Sequence, residues 1–525
     1  MGAAGVEPAD ASLPRHDEPA GHLFGDSPTC HVPAGASFAL NKQTLATEPN
    51  AAAKPRVGRS VGLLVGGQAT AQILTLAAAP ILTRLYAPQD FGAAAVFTAL
   101  LAFFGVVACL RYDLSIALPA NDRDAENLVV LCLLCVASTT ALCGLGVLWF
   151  GDALILALNW SIDTNVLWLL PFGVASAGLY TVIERWMVRM QYFGQLAQTR
   201  LLRSLIGNLV QLGGHGLGVL ALMGGTVIGN GTGGLFFLIR EVRRRQGRNI
   251  RLVRIIALAR RYKDFPLYST WTAVFNVAGL HLVPLIFSAL FGAAVVGHFA
   301  FALRMVSAPI TLIGAAIGSV FFAQAPAARR AGRLPEVAEE LRRKLANAGV
   351  PALVLLICAG PDLFGTVFGE RWRMAGHYAR WMAPWIYFQF QFSPLSCLPD
   401  VMELQKLELT AQFSTFAVRL ATLAACYGFS VPADQSIAAF SVVSALAYLW
   451  MLALFMSRVG VGLRAMVAHD TKRILIFCAL ALPSLLLYSG APDWRSLACA
   501  IYFLALSALW LRRALRAPHA GTGRA

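Results

Sequence analysis

The sequence is short of charge. Asp, Glu, Lys and Arg make up 13% of its 525 residues, against about 25% in an ordinary soluble domain. Acidic groups are the scarcer sign, with 27 Asp and Glu against 43 Lys and Arg. HExxH and P-loop patterns are absent. No catalytic residue, metal site or cofactor is therefore expected, and an enzyme is disfavoured. A framework of paired cysteines is also missing. Most of the ten cysteines lie inside apolar blocks. Cys132 and Cys135 form a CxxC spacing, but within LVVLCLLCVAS, where no polar groups support a thiolate or a metal. Beyond residue 60, no polar segment is long enough to make a sizeable soluble domain.

Apolar length is what the chain has in abundance. Hydrophobic residues make up 57% of it, and the mean hydropathy is +0.63. A bilayer core takes roughly 20 apolar residues per helix. Apolar blocks separated by short polar breaks fall at 61–82, 93–110, 128–150, 166–184, 204–223, 225–239, 267–290, 294–322, 347–367, 376–399, 409–428, 435–456, 474–489 and 496–511. The pattern predicts an all-α polytopic membrane protein with about 14 transmembrane helices. The block at 225–239 is the weakest, being short and Gly-rich (GGTVIGNGTGGLFFLI). Such a segment suits a tightly packed helix.

The formal charge of +16 would suggest nucleic acid in a soluble protein. Here the bases collect on one side of the predicted membrane, so no nucleic-acid partner is expected. With the N-terminus in the cytoplasm, the inner segments hold Lys54, Arg56 and Arg59; Arg111 and Arg123; Arg185, Arg189, Arg200 and Arg203; the run Arg240 to Lys263; and later runs that end at Arg524. The opposite side keeps Arg84, Arg371, Arg373 and Arg495. This alternation obeys the positive-inside rule and places both termini in the cytoplasm. The linker contains NIRLVRIIALARRY. It fits either an amphipathic helix on an anionic inner leaflet or a solvated basic connector. Leu334–Leu345 carries Glu339 with Arg343 and Glu340 with Lys344 at i,i+4 spacing, which predicts a short surface helix.

The expected organisation begins with a disordered tail over 1–55, which lacks the basic and apolar regions of a signal peptide. A six-helix bundle follows over 56–239, a basic linker over 240–266 and a second six-helix bundle over 267–456. A two-helix tail over 457–511 and a cytoplasmic segment over 512–525 complete it. The halves echo each other. FGAAAVFTALLAFF from Phe91 and VGHFAFALRMVSAPI from Val296 align Gly92 with Gly297. Six helices separate the two, so the halves point the same way, in a parallel pseudo-twofold arrangement.

Ionised groups within apolar helices are costly and mark function. Arg304 and Arg419 both fall near the expected midplane, and neither has an acid within a helical turn. Two such guanidiniums suit an anionic ligand such as a phosphate; pairing with carbonyls or a wet gap is the alternative. His281 lies mid-helix, as a core histidine or a proton site. Arg380 lies near an outer helix end, where snorkelling is ordinary. Two bundles around a cleft argue for a transporter. Pro88, Asp90 and Gly92 suit a rigid turn: Pro fixes a dihedral, Asp caps a helix and Gly permits close approach.

ILTRLYAPQDFG at Ile81–Gly92 resembles the first-loop signature of bacterial polysaccharide flippases, the Wzx-type lipopolysaccharide and exopolysaccharide translocases of the MATE-like superfamily. The resemblance continues through LRYDLSIALP, YKDFPLYST, SALFGAAVVGHFAFALR, GTVFGERW and APWIYFQFQFSPLS, over most of residues 60–430. It implies translocation of a polyprenyl-diphosphate-linked oligosaccharide across the inner membrane, with polysaccharide polymerase machinery as a possible downstream partner. The diphosphate would then be the anion for Arg304 and Arg419. Family members often carry Glu where this chain has Gln89. A MATE-type drug or cation antiporter would need midplane acids, which are scarce here. A membrane polymerase or ligase of lipid-linked glycans would need a larger outer loop.

Overall fold

The computed structural model describes residues 54–160, 163–244, 251–487 and 494–516. The expected tail over 1–53 lies outside them. Among the described residues there is no strand, and fourteen α-helices have 20 residues or more. They are α1 (Lys54–Leu85), α2 (Pro88–Val107), α3 (Asp122–Ala157), α4 (Leu169–Arg189), α5 (Phe193–Gly213), α6 (Val219–Arg244) and α7 (Thr270–Phe291). Then come α8 (Ala293–Arg330), α9 (Leu334–Phe368), α10 (Arg373–Leu395), α11 (Gln405–Gly428), α12 (Ala433–Arg458), α13 (Leu463–Leu487) and α14 (Trp494–Arg516). Each corresponds to one apolar block. Six of them, α2, α3, α4, α9, α11 and α12, are long and apolar enough by themselves to cross a membrane. Several of the others carry charges or histidines within or beside the span, as α5 does with Arg200 and Arg203 and α8 with His298 and Arg304.

The helices pack in two sets. In the first, α4 and α5 pack on α6, and α3 packs on α4. In the second, α10 packs on α8, α9 and α12. Helix α2 reaches across from the first set to α7 and α8 of the second. Helix α11 packs mainly on α12, while α13 and α14 pack on each other and on α9.

The Gly-rich block is a full helix, for a steric reason. Hydrocarbon gives apolar side chains no reason to leave it, so helices associate where small residues let backbones approach. Gly225, Gly229 and Gly233 form a stripe one turn apart on α6. A Cβ on these glycines would lie 2.7 Å from the Gly207 carbonyl, 2.7 Å from the Arg203 carbonyl and 3.3 Å from the Thr199 carbonyl. The stripe of α6 thus climbs the backbone of α5 in opposite order. Larger side chains would force the pair apart.

At the basic end, residues Leu252–Arg261 form a short linker helix. Ile255 and Leu258 are buried on the side that packs against α3. The Asn127 side chain accepts the Arg251 N–H at 3.2 Å, and Arg254 pairs with Asp124. The Tyr112 hydroxyl donates to the Ala259 carbonyl at 3.1 Å. Leu252, Val253 and Ile256 stay exposed. The helix therefore has one apolar stripe toward protein and a second facing outward; Ile250 lies outside the described residues.

The expectation of a separate surface helix over Leu334–Leu345 is not met. Those residues are the first turns of α9, which runs unbroken to Phe368. The pairs Glu339–Arg343 and Glu340–Lys344 form, each at 2.6 Å. Arg342, between them, is fully buried. It donates two bonds to Glu339, at 2.8 and 3.0 Å, one to Asp470 at 2.9 Å and one to Gln391 at 3.1 Å. The cluster joins α9, α10 and α13, and it is the reason that this end of α9 is interior.

Candidate functional site

The charge-poor end is where the two sets of helices touch most closely. Pro88 opens α2 in its first turn, where its missing N–H costs nothing. The Asp90 carboxylate accepts the Ala87 N–H at 3.0 Å. One turn into each helix, Gly92 of α2 faces Gly297 of α8. A Cβ on Gly92 would lie 1.7 Å from the Ala293 carbonyl oxygen, and one on Gly297 would lie 1.8 Å from the Pro88 carbonyl oxygen. The aligned glycines of the internal echo are thus in mutual contact, backbone against backbone.

Aromatic rings complete the closure. The Trp372 indole is fully buried and donates Nε1–H to the Thr83 carbonyl at 2.9 Å. Its ring lies 4.8 Å from Phe91 and 4.5 Å from Phe301. Ser288 of α7 donates to the Leu158 carbonyl at 2.7 Å, tying α7 to the end of α3. The closure thus draws on α1, α2, the end of α3, α7 and α8, and on the α9–α10 turn.

Arg304 lies seven residues beyond Gly297 on α8. Seven residues are almost two full turns, about 10 Å along the axis, so both share one face. That face meets α2 at Gly297. At Arg304 the side chain is exposed, although its neighbours Phe301, Ala302 and Val306 are buried. The exposed guanidinium thus stands on the face that meets α2 two turns away, with buried apolar neighbours on either side of it.

Arg419 sits differently. Its guanidinium carbon lies 5.1 Å from the Tyr448 ring centroid, 5.4 Å from Trp385 and 6.0 Å from Phe440. Its Nε and Nη2 are buried without a hydrogen-bond partner. It is therefore held within α10, α11 and α12 and not offered to an open space. Arg380 donates from Nη2 to the Cys358 carbonyl of α9 at 3.5 Å, a contact to a helix carbonyl. His281 is half-buried on α7. Sequence reasoning missed Trp372 and Arg342. Trp372 stands in the GERW stretch, but its acceptor at Thr83 is 289 residues away.

An apolar groove with a volume of about 770 Å³ runs along α13. Leu463, Val467, Leu475 and Ile476 line it, with Arg464 and Lys472.

The sequence profile of a family described as "Polysaccharide biosynthesis protein" matches residues 81–376. No curated protein sequence matches the chain. Among solved structures, the fold is similar to "Lipid II flippase MurJ, inward closed conformation", with a TM-score of 0.65 and 13% identity over 86% of this chain and 100% of that one. It is also similar to an inward-facing multidrug resistance MATE family transporter of the MOP superfamily, with a TM-score of 0.55 and 14% identity over 74% of this chain and 94% of that one. At such identities the likeness establishes the fold, a polytopic membrane transporter fold.

Proposed function

The chain belongs to the polysaccharide biosynthesis protein family, and from that premise we propose that it flips a polyprenyl-diphosphate-linked oligosaccharide across the bacterial inner membrane by alternating access. The observation that carries the reading is Arg304, an exposed guanidinium about two helical turns from the Gly92–Gly297 contact, which we read as lining the transport cleft. In a low-dielectric cleft a guanidinium attracts an oxyanion strongly and binds it through two parallel N–H bonds. A diphosphate is that kind of ligand. The Wzx-type signature residues of Ile81–Gly92 build the closure itself, which supports a gating role for them.

In this reading the basic end faces the cytoplasm, with both termini there. The Gly92–Gly297 contact shuts the outer side while the cleft around Arg304 loads from within. The first and second sets of helices then rock about α2, α7 and α8. The groove along α13 gives the polyprenyl chain an apolar path while its headgroup is in the cleft. The exposed Leu252, Val253 and Ile256, flanked by Arg251, Arg260 and Arg261, rest on the anionic inner leaflet. The delivered product would pass to polysaccharide polymerase machinery on the outer side, for lipopolysaccharide or exopolysaccharide.

A drug or cation antiporter is disfavoured by the same residue, since a cation beside an exposed guanidinium meets like charge. The test is glycan export in cells that carry Arg304→Ala at normal protein level. Export should fall at least tenfold, with partial retention in Arg304→Lys. Unchanged export in Arg304→Ala would contradict the assignment.

A further inference from the structure

Six buried polar atoms without a hydrogen-bond partner belong to residues around one point in the second set of helices. They are Nε and Nη2 of Arg419, Oγ1 of Thr415, Oγ of Ser441, Oγ of Ser444 and Nε1 of Trp385. Their placement follows from helix geometry and the ring contacts. Thr415 is one turn before Arg419 on α11. Phe440, Ser444 and Tyr448 succeed one another a turn apart on α12, and both rings meet the Arg419 guanidinium. Ser444 therefore lies on the stripe between them, and Ser441 adjoins it, at i−3 from Ser444. Trp385 brings its own ring to 5.4 Å from Arg419 across from α10.

Three features define what such a place binds. Nε and Nη2 form the side edge of the guanidinium, which takes acceptors in pairs. The Tyr448 ring lies 5.1 Å from the guanidinium carbon, and the edge left without a partner is the Nε–Nη2 side. The remaining groups are hydroxyls and an indole N–H, which can all donate. No acid competes: on α11 the nearest is Glu408, about three turns away, and Asp434 of α12 accepts from the Tyr378 hydroxyl at 2.9 Å.

Buried donors left without acceptors are costly, and each calls for an occupant. A single guanidinium balances a single negative charge. A doubly charged phosphate would leave excess charge in an apolar interior, and the donors are closed to solvent. We propose that the second set of helices holds one monovalent anion of chloride size against the Nε–Nη2 edge of Arg419, with Ser441, Ser444, Thr415 and Trp385 as further donors. The anion neutralises Arg419 and fastens α11, which otherwise packs mainly on α12, to α10. This site is independent of the cleft at Arg304 and of the transported substrate.

The test uses the full purified chain in detergent. Its thermal unfolding midpoint is followed while chloride replaces gluconate at constant ionic strength. The expected result is a saturable rise with chloride, reproduced by bromide and lost in Arg419→Gln. A Ser441→Ala/Ser444→Ala variant, which keeps the arginine, should weaken apparent chloride affinity by about tenfold, as expected when hydrogen bonds to a charged ligand are removed. It also serves if Arg419→Gln does not fold. Identical midpoints in chloride and gluconate would mean that water or the rings satisfy these donors, and would overturn the proposal. An undiminished chloride response in the double serine variant would overturn it equally.

Discussion

Replacing Gly92 with alanine puts a methyl group where the structure has a carbonyl oxygen. The added Cβ would lie 1.7 Å from the Ala293 oxygen and 2.9 Å from the Gly297 nitrogen. Both neighbours are backbone, so no side chain can turn aside. To restore ordinary contact, α2 and α8 must separate by roughly 1.5 Å at this level. Overpacking of this kind costs about 1–3 kcal/mol. At about 2 kcal/mol the closed arrangement loses roughly thirtyfold in population relative to an open one. The assay is labelling by a membrane-impermeant maleimide, added from the charge-poor side, of Phe301→Cys in a variant stripped of native cysteines. Phe301 is 2% exposed and packs on Trp372 behind the glycine contact. Labelling should accelerate roughly thirtyfold in Gly92→Ala, the population shift just estimated. Gly297→Ala should act alike, since its Cβ would meet the Pro88 oxygen at 1.8 Å. The double variant should label little faster than either single one, because one separation relieves both clashes. Unchanged labelling in the single variants, or fully multiplicative effects in the double, would refute the idea that this contact closes the outer end.

Other substitutions probe separate links. Arg342→Met strands Glu339 and Asp470 in a buried setting, at about 3–5 kcal/mol; the thermal midpoint of the purified protein should drop sharply and recover when Glu339→Gln and Asp470→Asn are added. Trp372→Phe keeps an aromatic ring but loses the bond to the Thr83 carbonyl, about 1 kcal/mol; it should raise Phe301→Cys labelling by less than Gly92→Ala does. Gly229→Val drives a branched side chain into the Arg203 carbonyl, and the yield of folded protein in membranes should collapse. Leu252→Gln with Val253→Gln should weaken binding of an isolated linker peptide to anionic vesicles while leaving its binding to neutral vesicles low.

The helix inventory was legible because hydrocarbon length and loop charge act locally along the chain. Each apolar block became one long helix, the Gly-rich block included. The echo of Gly92 and Gly297 was legible as a repeat, but not as a contact, since contact depends on how α2 and α8 cross. Leu334–Leu345 misled because its i,i+4 ion pairs look like a solvated face. What buries Arg342 is Asp470 and Gln391, 128 and 49 residues away, and no local pattern records that. The two midplane arginines looked equivalent in sequence. They differ because α11 presents Arg419 to three rings, whereas Arg304 is exposed. Trp372 stood in a stretch that carried the resemblance, but nothing local pointed to its acceptor, which is in α1.

The most direct measurement is flipping itself. The full chain, reconstituted into vesicles with a fluorescent polyprenyl-diphosphate oligosaccharide, should move the lipid between leaflets, and Arg304→Ala should abolish that movement while remaining folded. A polyprenyl carrier without the diphosphate should not be moved. Equal rates for the native chain, for Arg304→Ala and for protein-free vesicles would contradict the account at its centre.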